Sequence, residues 1–200
     1  MTVRPNSTDR VTDVRDGVHE LSFFRSENRI NRAALHLKGI STIDHLVLEL
    51  RKPGARSYLD ILRMARIPLT QWQARAQWNG KRYTRTCIAQ NREFELLLIA
   101  YEPGQRTSIH DYDSTHAWVH PLMGELTEER YELAAEGHPV LTSSVVLHPD
   151  SFSYLTRSHS IHRYVNTGEG RALSLNLYSA PLRQWKVYDE RGGMRQERVI

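Results

Sequence analysis

The sequence lacks several features that would assign a role at once. It carries one cysteine, Cys87, in 200 residues. A single thiol excludes an internal disulfide framework and suits a reducing compartment. There is no block of consecutive basic residues: 27 Lys and Arg are interspersed with 23 Asp and Glu, for a net charge of +4. A nucleic-acid partner is therefore not expected. Long apolar runs are missing as well. The longest, Phe94 to Tyr101, is broken by Glu95 and falls far short of the roughly 20 residues a membrane-spanning helix needs. The opening MTVRPNSTDRVTDVRDG has no apolar core, so no secretory signal is expected. These absences predict a soluble, cytoplasmic chain with no membrane partner. With 40% hydrophobic residues, its length suits one well-buried core rather than two.

What is present divides the chain in two. Residues 1–40 are polar and charge-rich apart from Leu21 to Phe24, and are read as an extension. From residue 41 to 77 the pattern is helical. Ser41 or Thr42 can cap a helix carrying Leu46, Leu48 and Leu50, which Pro53-Gly54 would stop. Ser57 can cap a second helix with Tyr58, Ile61, Leu62 and Ala65 on one face, and Thr70 a short third after Pro68. From residue 78 to 190 the signal is β. Short runs such as YTRTCIAQ, FELLLIAYE, SIHDYDSTHAWVHPLMG and ALSLNLYSA are separated by turn residues, the pattern of a sandwich or barrel. Residues 41–200 are thus expected to form one domain of class mainly β, a barrel behind short helices.

Within the β part, chemistry-bearing residues recur at strand spacing. His110 and Tyr112 are two apart and share a strand face. A second segment supplies His162 and, four residues on, Asn166. Two such side chains with a third ligand from a distant strand would make a facial metal triad. Gly104 precedes and Gly124 closes the first segment. This glycine, His-x-His-like, glycine arrangement resembles the first motif of the cupin superfamily, and His162 with Asn166 the second.

The resemblance narrows to the cysteine dioxygenase family and covers about Trp78 to Asp189. Tyr83-Thr84-Arg85 looks like the family's carboxylate-holding segment, and Ser108-Ile109-His110-Asp111 like its first ligand strand. Ile161-His162-Arg163 looks like the second ligand segment, and Ser174 to Pro181 like the strand that presents a serine, a histidine and a tyrosine. The resemblance implies a cupin or jelly-roll β-barrel. It also implies a mononuclear non-haem centre, ferrous iron foremost, with ferric iron or another divalent ion as alternatives. The metal residues would be His110, His162 and Tyr112, with Arg85 and Tyr83 for the substrate carboxylate and Tyr178, Ser174 and Asn176 on the oxygen side. The implied partners are dioxygen and a small thiol or amino-acid-like substrate, oxidised to a sulfinate. Three positions depart from the family pattern: Tyr112 and Asn176 where histidines are expected, and Ala117 where animal members carry a cross-linked cysteine.

Alternatives remain at the third ligand position. Tyr112 ranks before water, and both rank before His116, which shares strand parity, and His159. Asp111 and Asp113 have the wrong parity. A cupin metalloenzyme of another reaction type and a non-catalytic small-molecule binder also remain open. Cys87 shares parity with Tyr83 and Arg85 and is read as cavity-lining or as a small buried residue. His19, His36, His45, His120, His138 and His148 are read as structural or surface, and Trp72, Trp78 and Trp118 as core. The oligomeric state is not set by the sequence.

Overall fold

The computed structural model describes residues 39–52, 57–112, 116–156 and 161–198. The polar extension, apart from Gly39 and Ile40, lies outside the described residues, as do Pro53-Gly54, Asp113 and His159.

Three short helices come first: α1 (Ile43–Leu50), α2 (Tyr58–Met64) and α3 (Leu69–Gln73). The Thr42 hydroxyl caps α1 by accepting from the His45 amide at 3.1 Å. Ser57 caps α2 by accepting from the Asp60 amide and donating to the Asp60 carboxylate. Both caps satisfy amides that a helix leaves open at its start. Thr70 does not cap α3. The helix begins at Leu69 behind Pro68, with no side-chain cap, because the fixed φ of Pro68 already sets its entry. Helix α1 buries Ile43, Leu46 and Leu50, while Leu48 points to solvent. Each buried Leu contributes about 1.5–3 kcal/mol.

Eleven strands follow among the described residues. They are β1 (Thr84–Gln90), β2 (Phe94–Tyr101), β3 (Ile109–Tyr112), β4 (His116–Met123), β5 (Leu126–Leu133) and β6 (Pro139–Leu147). Then come β7 (Ser153–Thr156), β8 (His162–Val165), β9 (Ala172–Ser179), β10 (Gln184–Tyr188) and β11 (Met194–Arg198). They pair antiparallel into a five-stranded sheet, β1-β2-β9-β4-β7, and a six-stranded one, β11-β10-β3-β8-β5-β6. This is the expected mainly β jelly-roll. Strands β7 and β11 go beyond the sequence expectation, the latter past residue 190.

Strands β2 and β9 are buried on both faces, and their alternation sorts residues between two cores. Phe94, Leu96, Leu98 and Ala100, with Leu173, Leu175 and Leu177, pack beneath the helices. Leu97, Ile99, Tyr101 and Tyr178 face the barrel interior. In β9 the usual rule is inverted: the leucines face the helices, while Ser174, Asn176 and Tyr178 are buried on the opposite face. A strand that turns polar side chains inward must satisfy them there.

The segment from Ser108 to Gly124 is not one strand. It divides into β3 and β4, which belong to different sheets, so parity does not carry across. Ala117 and Val119 face the interior with Tyr112, whereas Trp118 packs under the helices. His116 therefore faces away from His110. Its ring stacks on Tyr154, and its Nδ1 meets the Tyr154 hydroxyl at 2.5 Å. Gly124 closes the segment at φ +71°, where a Cβ would come within 2.5 Å of the Arg171 carbonyl oxygen. Asn166, the other motif residue, is a strut: its amide nitrogen donates to the carbonyls of Tyr101 and Gly170.

Candidate active site

His110 on β3 and His162 on β8 sit directly opposite each other in register, with ring centroids 4.4 Å apart. Nδ1 of His110 lies 2.8 Å from the Ser108 carbonyl oxygen. A carbonyl only accepts, so Nδ1 is the donor in this contact, and the bond fixes the orientation of the ring. Tyr112 follows on the same face, its ring 5.1 Å from that of His162 and 5.4 Å from that of Tyr178. It is 3% exposed, and its hydroxyl has no hydrogen-bond partner. Such an orphan costs about 1–3 kcal/mol. Burial holds the phenol neutral, well above its usual range, with Tyr178, Tyr164 and Glu128 adding to the effect.

The other wall comes from the five-stranded sheet. Ser174 Oγ donates to Asn176 Oδ1 at 2.7 Å, and Asn176 Nδ2 donates to the Tyr178 oxygen at 3.4 Å. The chain of bonds fixes the Asn176 amide and leaves the Tyr178 O–H pointing onward as a donor. Burial raises the Tyr178 pKa, and nearby Arg85 opposes the shift. Arg85 itself lies with its guanidinium carbon 5.6 Å over the Trp185 ring, and Tyr83 stacks on Tyr101 at 5.7 Å.

These side chains line one cavity of about 70 Å³. Of the residues expected at the site, Tyr83, Arg85, His110, Tyr112, His162, Asn176 and Tyr178 line it; Ser174 does not, standing behind Asn176. Cys87 neither lines the cavity nor is buried, contrary to both expectations; it sits exposed on β1. A register shift between Cys87 and Ala89 disturbs the strand there. Asp111, on the opposite strand face, accepts from the Tyr188 hydroxyl at 2.8 Å. His120 is structural, stacked on Phe152 at 4.2 Å.

The family model for cysteine dioxygenase type I matches residues 35–191. The chain belongs to the cysteine dioxygenase type I family. It is 31% identical over 128 residues to the cysteine dioxygenase type 1 of Homo sapiens, covering 62% of this chain and 64% of the human one. The Bos taurus protein of the same name is 28% identical over 134 residues, covering 65% and 67%. Among solved structures, a Thermus thermophilus protein is similar at TM-score 0.46 and 18% identity, over 54% of this chain and 92% of its own. A cupin superfamily protein of Desulfitobacterium hafniense is similar at TM-score 0.42 and 16% identity, over 53% and 84%.

Among the described residues no three His, Cys, Asp or Glu side chains gather to hold a metal. Two imidazoles and the orphaned Tyr112 hydroxyl line the cavity together instead, and a metal ion is a partner that would satisfy that hydroxyl. The residues fit a mononuclear centre of this kind.

Sequence reasoning passed over Thr107, Tyr164, Leu182 and Trp185, which also line the cavity. It also passed over an ion pair inside the barrel. Glu128, 1% exposed, accepts from Arg130 Nε at 3.1 Å. Arg130 stands opposite His162 in register, and Glu128 opposite Tyr164. The signal was the alternation of Leu126, Glu128 and Arg130, which puts both charges on the face that carries a buried leucine.

Proposed function

We propose that this chain is a thiol dioxygenase-like enzyme that oxidises a small carboxylate-bearing thiol with dioxygen to the sulfinate. The reaction balances as RSH + O2 → RSO2H, both oxygen atoms ending on sulfur. His110, His162 and Tyr112 would hold one iron ion, ferrous in the resting enzyme. When bound, it would favour the thiolate at neutral pH and bring the thiol and dioxygen together.

The chain's own residues do the rest. Arg85 offers an in-plane fork of N–H donors to the carboxylate, and Tyr83, steadied on Tyr101, borders the same end. Tyr178, oriented through Asn176 and Ser174, offers its O–H from the same wall as Arg85. Tyr112 must give up its phenolic proton to ligate, against an environment that favours the neutral form. The observation that carries this reading is the placement of the cross-strand His110–His162 pair, the unsatisfied Tyr112 hydroxyl and Arg85 around one cavity.

The test is anaerobic loading with ferrous iron, then oxygen uptake and product NMR across carboxylated thiols. Sulfinate formed one-to-one with oxygen consumed is expected. Iron bound with no uptake for any thiol would sink the reaction assignment. A second reading, a binder without catalysis, is favoured by Asn176, since an amide cannot relay a proton as imidazole does. Purified protein devoid of metal and unable to take it up would support that reading.

A further inference from the structure

We propose that Trp185 sets which thiols the cavity accepts, restricting them to short acids of about three carbons; this rests on the thiol-oxidising reading above. Trp185 lies on β10, directly opposite Tyr112 in register, so its indole rises from the same sheet as the two histidines and borders their cavity. Arg85 reaches across from the other sheet and rests its guanidinium carbon 5.6 Å over that indole. The indole therefore spans the space between the carboxylate-binding end and the imidazole end. A substrate held at both ends runs alongside it.

The volume agrees. The cavity is small, about 70 Å³, several times what a single water needs, which suits a short ligand. Much of the remaining wall is core. Tyr101, Tyr112, Tyr164 and Tyr178 are each at most 5% exposed. Leu182 is also buried, and its amide donates to the buried Glu95 carboxylate at 3.1 Å. Trp185 is only half-buried. Tyr83 is half-buried too, but Trp185 is the one opposite Tyr112 in register, and it can be shortened while the interior stays packed. It has a second effect on Arg85: a guanidinium lying on an aromatic face keeps its N–H edge directed sideways, toward a carboxylate.

The experiment uses the full chain loaded with ferrous iron, and ω-mercapto acids of two to five carbons. Binding is followed by anaerobic calorimetry and turnover by oxygen uptake. The parent is expected to bind the three-carbon acid at least tenfold more tightly than the five-carbon one. Trp185→Leu should flatten that preference and weaken the three-carbon acid as well, because Arg85 loses its platform. Trp185→Phe should flatten it while keeping three-carbon binding within a few-fold. If the parent itself shows no length preference, the proposal is wrong whatever the variants do. If folded variants keep the parent's preference, it is equally wrong. A parent that binds none of these acids refutes the thiol-acid reading beneath it and this proposal with it.

Discussion

Replacing Tyr112 with Phe should have opposite effects on the metal-free and the iron-loaded protein. The substitution removes one oxygen and leaves the ring, with its contacts to His110, His162 and Tyr178. In the metal-free barrel that oxygen is buried without a partner, and an unsatisfied hydroxyl costs about 1–3 kcal/mol. Its removal should therefore stabilise the metal-free form by about 1–2 kcal/mol. For a domain of this size that is a rise of about 2–8 °C in Tm. In the loaded protein the same oxygen is a proposed ligand, so iron affinity should fall and the stabilisation conferred by iron should shrink. Scanning calorimetry of both proteins, first with chelator and then with ferrous iron under argon, reads both effects. A variant that melts lower than the parent in chelator would mean the hydroxyl has a partner. A variant that binds iron as tightly as the parent would remove Tyr112 from the ligand set.

His110→Ala or His162→Ala should abolish stoichiometric iron, measured by plasma emission, since few neutral nitrogen ligands are available. Because burial holds the Tyr112 phenol neutral, its ligation must release a proton. The logarithm of iron affinity should then rise with pH by about one unit per pH unit more steeply in the parent than in Tyr112→Phe, between pH 6 and 8 by anaerobic titration. Arg85→Ala should raise the KM for carboxylated thiols by about tenfold, an exposed charge-assisted pair being worth about 1.5 kcal/mol; an unchanged KM would place the carboxylate elsewhere. Glu128→Ala removes the carboxylate partner of Arg130, which stays a quarter exposed with the Tyr154 carbonyl still in reach, and should cost about 1–3 kcal/mol in urea denaturation.

Elements whose evidence is local were readable from the sequence. The hydroxyls of Thr42 and Ser57 cap where short-range pattern puts them, and the alternation in ALSLNLYSA already separates leucines from Ser174, Asn176 and Tyr178. His110, Tyr112 and His162 come together because strand parity is a local rule. It fails where the chain changes sheets. Nothing in Ser108 to Gly124 marks the crossing except the small and polar residues around position 114, so His116 kept an apparent parity that the second sheet does not honour. The Glu128–Arg130 pair was hidden for another reason. Opposite charges two apart on a strand look like a solvated face unless the partner strand is known to bury them.

The division of the site between the two sheets also has a consequence for dynamics. His110, Tyr112 and His162 all belong to the six-stranded sheet, on neighbouring strands, while Arg85 and the Ser174–Asn176–Tyr178 chain belong to the five-stranded one. A metal gripped by the first set fastens β3 to β8 and leaves the two layers as free to breathe against each other as before. A ligand anchored at Arg85 and at the metal ties layer to layer. Amide hydrogen exchange should therefore slow in two stages, in β3 and β8 when iron is added, and in β1 and β9 only when a carboxylated thiol follows.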